Sequence, residues 1–139
     1  MNVVAGVSEQ RLKHLEFIQA MITRMAGNSM AAKSWSVALT SALVGLATAQ
    51  TANPRFVILA LVPPVVFWAI DGYYLYLERC YRDRFDEVRH VKDEEWKGFE
   101  MEPLKAKRCY VLDGLLRPSV WAVHLLIVIL GGAAWSMAR

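Results

Sequence analysis

Residues 66–89 read VFWAIDGYYLYLERCYRDRFDEVR. The first five residues suit lipid and the last thirteen suit water, and an aspartate, Asp71, stands just before the change. An acid at that place is costly unless it has a partner or a use. Its reading decides whether the chain is a soluble helical bundle or a membrane protein.

Working outward, two long apolar blocks flank this stretch. Residues 34–70 form the first, interrupted at residues 51–55 by TANPR, a turn signal. Residues 118–138, PSVWAVHLLIVILGGAAWSMA, form the second. A bilayer core of about 30 Å needs about 20 helical residues. Residues 34–52, 55–75 and 118–137 meet that length and predict three transmembrane helices. A soluble helix carries a polar stripe, and FVILALVPPVVFWAI has none. The first ten residues, MNVVAGVSEQ, have no basic segment before an apolar one, as a signal peptide would.

Lysine and arginine set the expected orientation. Arg11, Lys13, Arg24 and Lys33 precede the first span, and ten basic residues lie between Arg79 and Arg117, against Arg55 alone in the turn. Both basic regions are therefore expected inside, with the turn and Arg139 outside. The excess of three basic residues over acids fits contact with anionic lipid or an anionic ligand without choosing between them. Cys80 and Cys109 fall in the inner segment, where thiols stay reduced. Their spacing, with His90, matches no metal motif. The chain also lacks a phosphate loop, GxSxG, HExxH or an intramembrane aspartate pair, so neither an enzyme nor a cofactor is expected.

Residues 8–30 predict an amphipathic helix capped by Ser8, with Leu12, Leu15, Ile18, Ile22 and Met25 on one face. Arg11, Lys13, Glu16 and Arg24 lie off that stripe, and Gly27–Ser29 supplies a stop or bend before the membrane. The face packs on protein or lies on lipid; its mixed charge favours protein. In the first span Ser41, Gly45 and Ala49 recur every fourth residue beside Ala38 and Ala42. Such spacing lets helices approach closely in lipid, between subunits or within one. Thr40 and Thr48 are candidates to face water in a pore. Pro63 and Pro64 deprive the Leu59 and Ala60 carbonyls of partners, which predicts a hinge or fixed bend in the second span. Beyond it, Glu78–Arg82, Arg79–Asp83 and Arg82–Asp86 stand at the spacing that supports an exposed helix. Tyr73, Tyr74 and Tyr76 mark the crossing point. GFEMEP then breaks the chain, residues 104–116 form a short helix, and Pro118 opens the third span.

Counting from Asn53, Asp71 lies 18 residues along one span and Lys33 lies 20 back along the other. At 1.5 Å per residue these are roughly 27 and 30 Å from the outer turn. The two charges therefore share one level near the inner boundary. An ion pair would fix the hairpin register; a ring of carboxylates at the inner mouth of an oligomeric cation pore is the functional alternative. His124 falls roughly 9 Å inside the third span, where it bonds a neighbouring helix or lines a pore.

Residues 11–39 and 66–89 together resemble a family of small bacterial membrane effectors of anti-phage defence operons. These are the membrane effectors of Hailong systems and, more distantly, the SLATT two-helix effectors. The resemblance covers residues 11–89, and the third span departs from a two-helix plan. It implies an oligomeric channel that ends growth of the infected cell by abortive infection. It also implies control by a nucleotide or short nucleic-acid signal from a partner nucleotidyltransferase. Carried onto this chain, Arg11, Lys13, His14 and Arg24 become a signal-sensing surface. Asp71, with Tyr74 and Glu78 in the segment from Tyr73 to Arg82, becomes a gate. The alternative is a non-conducting membrane anchor or assembly subunit for a cytoplasmic enzyme.

The expected architecture is thus an all-α membrane protein. Residues 1–33 form an amphipathic helix inside, 34–78 a transmembrane hairpin, 79–117 a charged inner segment extending the second span, and 118–139 a third transmembrane helix. The small-residue face of the first span and the apolar stripe of the first helix both need partners, which predicts a homo-oligomer, most simply a tetramer.

Overall fold

A computed structural model describes residues 8–49, 58–104, 112 and 114–137. Among them every regular element is helical: α1 (Glu9–Thr48), α2 (Val62–His90), a 3-10 turn (Asp93–Glu95) and α3 (Pro118–Met137). The TANPR turn, Cys109 and most of the helix expected within 104–116 lie outside the described residues.

Ser8 caps α1 as expected, its hydroxyl accepting the Arg11 N–H at 3.3 Å. The helix then runs unbroken for 40 residues, about 60 Å. The expected stop at Gly27–Ser29 is not there. A glycine costs a helix only about 1 kcal/mol, and Gly27 is exposed with nothing crowding it. The boundary drawn at residues 33 and 34 therefore falls inside one helix.

α2 runs antiparallel to α1, with Arg11 beside Val88 at one end and Lys33 beside Asp71 further along. Pro63 and Pro64 occupy the first turn of α2, where a missing N–H costs nothing. The interruption expected from them is present: Ile58 and Leu59 are helical, a turn follows at Ala60–Leu61, and α2 starts at Val62. α2 ends at His90, before GFEMEP, and Gly98 takes a left-handed φ of 101° in the following strap. α3 lies against both helices. Beside its start the chain passes close to α2: a Cβ on Gly114 would stand 2.7 Å from the Gly72 carbonyl oxygen, so only glycine fits. Trp68 Nε1 donates to the Leu115 carbonyl at 3.0 Å in the same contact.

One face of α1 is buried along most of its length: Arg11, His14, Ile18, Ile22, Met25, Ser29, Ala32, Ser36, Thr40 and Ala47. The steps of three and four follow the helical repeat. The face is turned slightly from the expected one, with Arg11 and His14 inward and Leu12 exposed. Its chemistry changes midway. Ile18, Ile22 and Met25 join an apolar core with Tyr81 and Val88. From Ser29 onward the buried side chains are small or hydroxylic, while Trp35, Leu39, Leu46, Val65, Ile129 and Leu130 are exposed.

By length and composition α1 can cross a membrane; among the described residues it alone meets that test. The apolar part of α3, Pro118–Ala133, is shorter. The second predicted span begins outside the described residues and is interrupted at Ala60–Leu61.

Candidate functional site

Where the two halves meet, α1 presents Ser29 and Lys33, one turn apart, to Asp71 on α2. The Asp71 side chain is 0% exposed and that of Lys33 is 15% exposed. A carboxylate removed from water to that degree needs both a counter-charge and hydrogen-bond donors. Lys33 Nζ donates to Asp71 Oδ1 at 2.7 Å and lies 2.6 Å from Oδ2. It also donates to Ser29 Oγ at 2.9 Å, and the Ser29 hydroxyl in turn donates to Asp71 Oδ1. Three side chains thus close a ring in which every donor has an acceptor. The pairing expected from residue counting is what forms. α3 adds His124, whose Nε2 lies 3.7 Å from Asp71 Oδ2 and whose Nδ1 lies 3.2 Å from Ser36 Oγ. His124 therefore bonds a neighbouring helix, as expected. The sequence reading missed Ser29 and Ser36. Their signal was the 4-3-4 spacing of Ser29, Lys33, Ser36 and Thr40, which places four polar groups on one side of an otherwise apolar helix.

The remaining gate residues do not gather around Asp71. Tyr74 packs on the apolar core. Glu78 is buried and binds Arg82 at 2.7 Å, one of the expected i,i+4 pairs of α2. Thr40 is buried with no partner for its hydroxyl. Thr48 is exposed and bonds back to the Val44 and Gly45 carbonyls. Thr40 and Thr48 therefore do not share an environment, contrary to their pairing as pore residues.

The proposed signal surface divides in two. Arg11 is buried and caps the C-terminal end of α2, donating to the Val88 and Arg89 carbonyls at 3.0 and 2.8 Å. The last carbonyls of a helix lack internal partners and carry the negative end of its dipole, so a guanidinium fits there. His14 is fully buried; its Nδ1 accepts the Trp96 indole N–H at 3.2 Å, and its Nε2 lies 3.0 Å from the Glu100 carbonyl. An indole only donates, so the ring is neutral with its proton on Nε2. Both residues hold the strap 91–104 and the end of α2 against α1, and this corrects their assignment to a ligand surface. The sequence placed them on a polar face because both are polar; their partners lie more than 70 positions away. Lys13 and Arg24 are exposed, on one side of α1 and roughly 16 Å apart.

A cleft of about 490 Å³ opens beside His14 and Trp96. Its charged lining is Arg84 and Lys97 against Glu87, Glu95 and Glu100. Arg84 is taken up by Glu87 at 2.8 Å and Glu100 at 3.1 Å. The cleft is therefore not a basic site. Cys80 is buried on α2, and burial pushes its thiol above the usual range, with the Tyr76 hydrogen bond opposing weakly. Its sulfur is a packing group, not a nucleophile.

No family model, curated protein or solved structure matches the chain.

Proposed function

We propose that this chain is an oligomeric, ligand-gated ion channel of the bacterial inner membrane, an anti-phage effector that arrests the infected cell. The observation that carries this reading is the buried Lys33–Asp71–Ser29 ring, set where the apolar core gives way to a small, hydroxylic one. An ionisable group at such a depth, facing the bundle interior, is the usual mark of an ion pathway.

The reading places residues 34–52, 55–75 and 118–137 in lipid, with the charged end of the hairpin inside the cell and Arg139 outside. Support comes from the inverted pattern of the upper half, apolar outside and hydroxylic within. A buried core helix of a soluble protein would not leave its apolar stretch open, and only 22% of that stretch of α1 is buried. Ser41 and Gly45 face outward, and nothing crowds Gly45. Packing within the subunit does not use them, so they are assigned to the contact between copies, four in the simplest closed ring. In the resting subunit Lys33 neutralises Asp71; movement of α1 against α2 separates them and turns the carboxylate toward the conducting path.

The signal is assigned to Lys13 and Arg24, repeated by symmetry at the inner mouth. A nucleotide or short oligonucleotide made by a partner nucleotidyltransferase would bind there with strong salt dependence. Charge reversal at both positions is expected to abolish binding of a short oligonucleotide measured by fluorescence anisotropy. A second reading, a non-conducting anchor for a cytoplasmic enzyme, is favoured by the completeness of the Asp71 ring, which leaves that acid closed within one subunit. Conductance of the purified oligomer in planar bilayers, with and without oligonucleotide, separates the two. Currents that lose cation preference in Asp71→Asn support the channel; silence under both conditions supports the anchor.

A further inference from the structure

Thr40 Oγ1 and His124 Nε2 are buried and have no hydrogen-bond partner, and beside them the buried Asp71 Oδ2 is held by the Lys33 ammonium 2.6 Å away. Each belongs to a residue at most 4% exposed. An orphaned polar group in such a place costs free energy, and these three atoms are not scattered. They fall on a single line of polar groups. Lys33 and Asp71 form its inner end, His124 Nε2 lies 3.7 Å from Asp71 Oδ2, and Ser36 Oγ lies 3.2 Å from His124 Nδ1. Thr40 is one turn further along α1, about 6 Å on. It lines a cavity of about 240 Å³ between α1, α3 and the residues just before α2, bounded also by Val44, Ala47, Ile127 and Gly131. That volume has room for several waters, and Thr40 supplies the one side-chain hydroxyl among its described lining residues.

We propose that each subunit carries its own proton path, Thr40–Ser36–His124–Asp71, with His124 as the group that passes the proton across. This rests on the conducting reading above and names the ion. A hydrated metal cation does not fit among side chains packed 3–4 Å apart. Lys33 already balances Asp71, and among the described residues no cluster of three metal-ligating groups exists. A proton needs only groups that accept and release it in turn.

The donor pattern fixes the order of events. The Ser36 hydroxyl donates to Nδ1, so Nε2 carries the hydrogen that faces Asp71; the reverse tautomer would aim a lone pair at a carboxylate. A proton arriving from a cavity water is taken by Ser36 Oγ as Ser36 gives its own to Nδ1. The resulting imidazolium releases the Nε2 proton to Asp71 Oδ2 after a closure of less than 1 Å to hydrogen-bond distance. The Asp71 carboxyl then gives it up to water at the part-exposed Lys33, and the Ser29 hydroxyl keeps donating to Oδ1. The imidazole is left with its proton on Nδ1, and turning the ring over resets it. No charge accumulates, and Lys33 keeps its own proton throughout. The charged and titratable groups facing His124 are Asp71 from α2 and Lys33 from α1.

The test uses the full chain in vesicles of phosphatidylethanolamine and phosphatidylglycerol, with a pH dye inside and the potential clamped by potassium and valinomycin. A sodium dye runs in parallel. The wild-type protein is expected to acidify the lumen. His124→Gln, which keeps a hydrogen bond to Ser36 but cannot take and release a proton in turn, is expected to slow this by at least about tenfold. Thr40→Val is expected to slow it several-fold and Thr40→Ser to restore it, a rescue that misfolding would not give. Sodium flux with no proton flux, or proton flux unchanged in His124→Gln, overturns the proton path and leaves the channel standing. Failure to pass any ion overturns the channel and this path together.

Discussion

The two ends of the helical hairpin obey opposite rules. In the half built from residues 9–28 of α1 and the end of α2, Ile18, Ile22, Met25, Tyr81 and Val88 are inside, Lys13 and Arg24 are outside, and the buried Arg11, His14 and Glu78 each have a partner. In the half beyond residue 29, Ser29, Ser36, Thr40, Asp71 and His124 are inside, and Trp35, Leu46, Ile129 and Leu130 are outside. The same helix, α1, serves both halves without a break, so helix formation is not what distinguishes them. On the proposed membrane reading, the difference lies in the solvent each half meets. Water drives apolar groups inward. Lipid supplies no such drive, and close packing of small residues with interhelical polar bonds takes its place.

That contrast is most exposed to breakage at the ring where the halves join. Lys33→Met leaves the Asp71 carboxylate closed in without its counter-charge, and breaking a buried pair in this way costs about 3–5 kcal/mol. Asp71→Asn is expected to cost less, because Lys33 is part-exposed and its stem lets the ammonium reach water. The double variant is expected to recover much of the loss. Unfolding titrations in mixed detergent micelles would read all three; equal losses for the two single variants would contradict the geometry.

The next largest effect separates the cores themselves. Ile18→Ala removes a fully buried side chain from the apolar half and is expected to cost about 2–5 kcal/mol. Ile129→Ala, on the exposed face of the other half, is expected to change stability by no more than about 0.5 kcal/mol in the same micelles. Comparable losses at both positions would erase the distinction drawn between the halves.

Much of this arrangement was legible in the sequence, for stated reasons. Helical rise counted from Asn53 placed Lys33 and Asp71 at one level, and the two side chains are paired. Ser8 announced its cap, and His124 its interhelical bond. What was not legible depended on long-range contacts. Gly27–Ser29 carries a strong local stop signal, yet packing of α1 along α2 overrides a cost of about 1 kcal/mol, and the Ser29 hydroxyl serves Asp71 instead. Arg11 and His14 read as surface cations because nothing near them in sequence reveals the α2 carbonyls, Trp96 or Glu100. Pro63 and Pro64 announced an interruption, but not its exact place: it falls at Ala60–Leu61, just before them, because proline is tolerated in the first turn of a helix and not in its interior.

Smaller effects sharpen the water-facing half. Arg11→Ala uncaps α2 and leaves two carbonyls without their donor, at an expected cost of about 1–3 kcal/mol. Hydrogen exchange should speed up first in the last turn of α2 and in the strap 91–104; uniform acceleration along α2 would argue against a capping role. The smallest effect concerns Cys80. Its thiol is raised by burial, so above the ordinary thiol range the unfolded chain loses its proton before the folded one does. The folded state then holds more protons, and stability falls as pH rises through that range. Cys80→Ala should flatten this part of the alkaline stability curve, and a stability that rises there in the wild type would reverse the sign argued.

The central claim is that the half beyond residue 29 faces lipid with its apolar surface while enclosing its polar groups. Spin labels placed singly at Trp35, Leu46 and Ile129, and for contrast at Lys13 and Arg24, test it most directly in lipid nanodiscs, on a chain with Cys80 and Cys109 replaced by alanine. Relaxation by oxygen and by a water-soluble nickel chelate reports which solvent each label meets. The account predicts that the first three labels relax with oxygen and ignore nickel, while the other two do the reverse. Nickel relaxing the labels at Leu46 and Ile129 as strongly as that at Lys13 would contradict it.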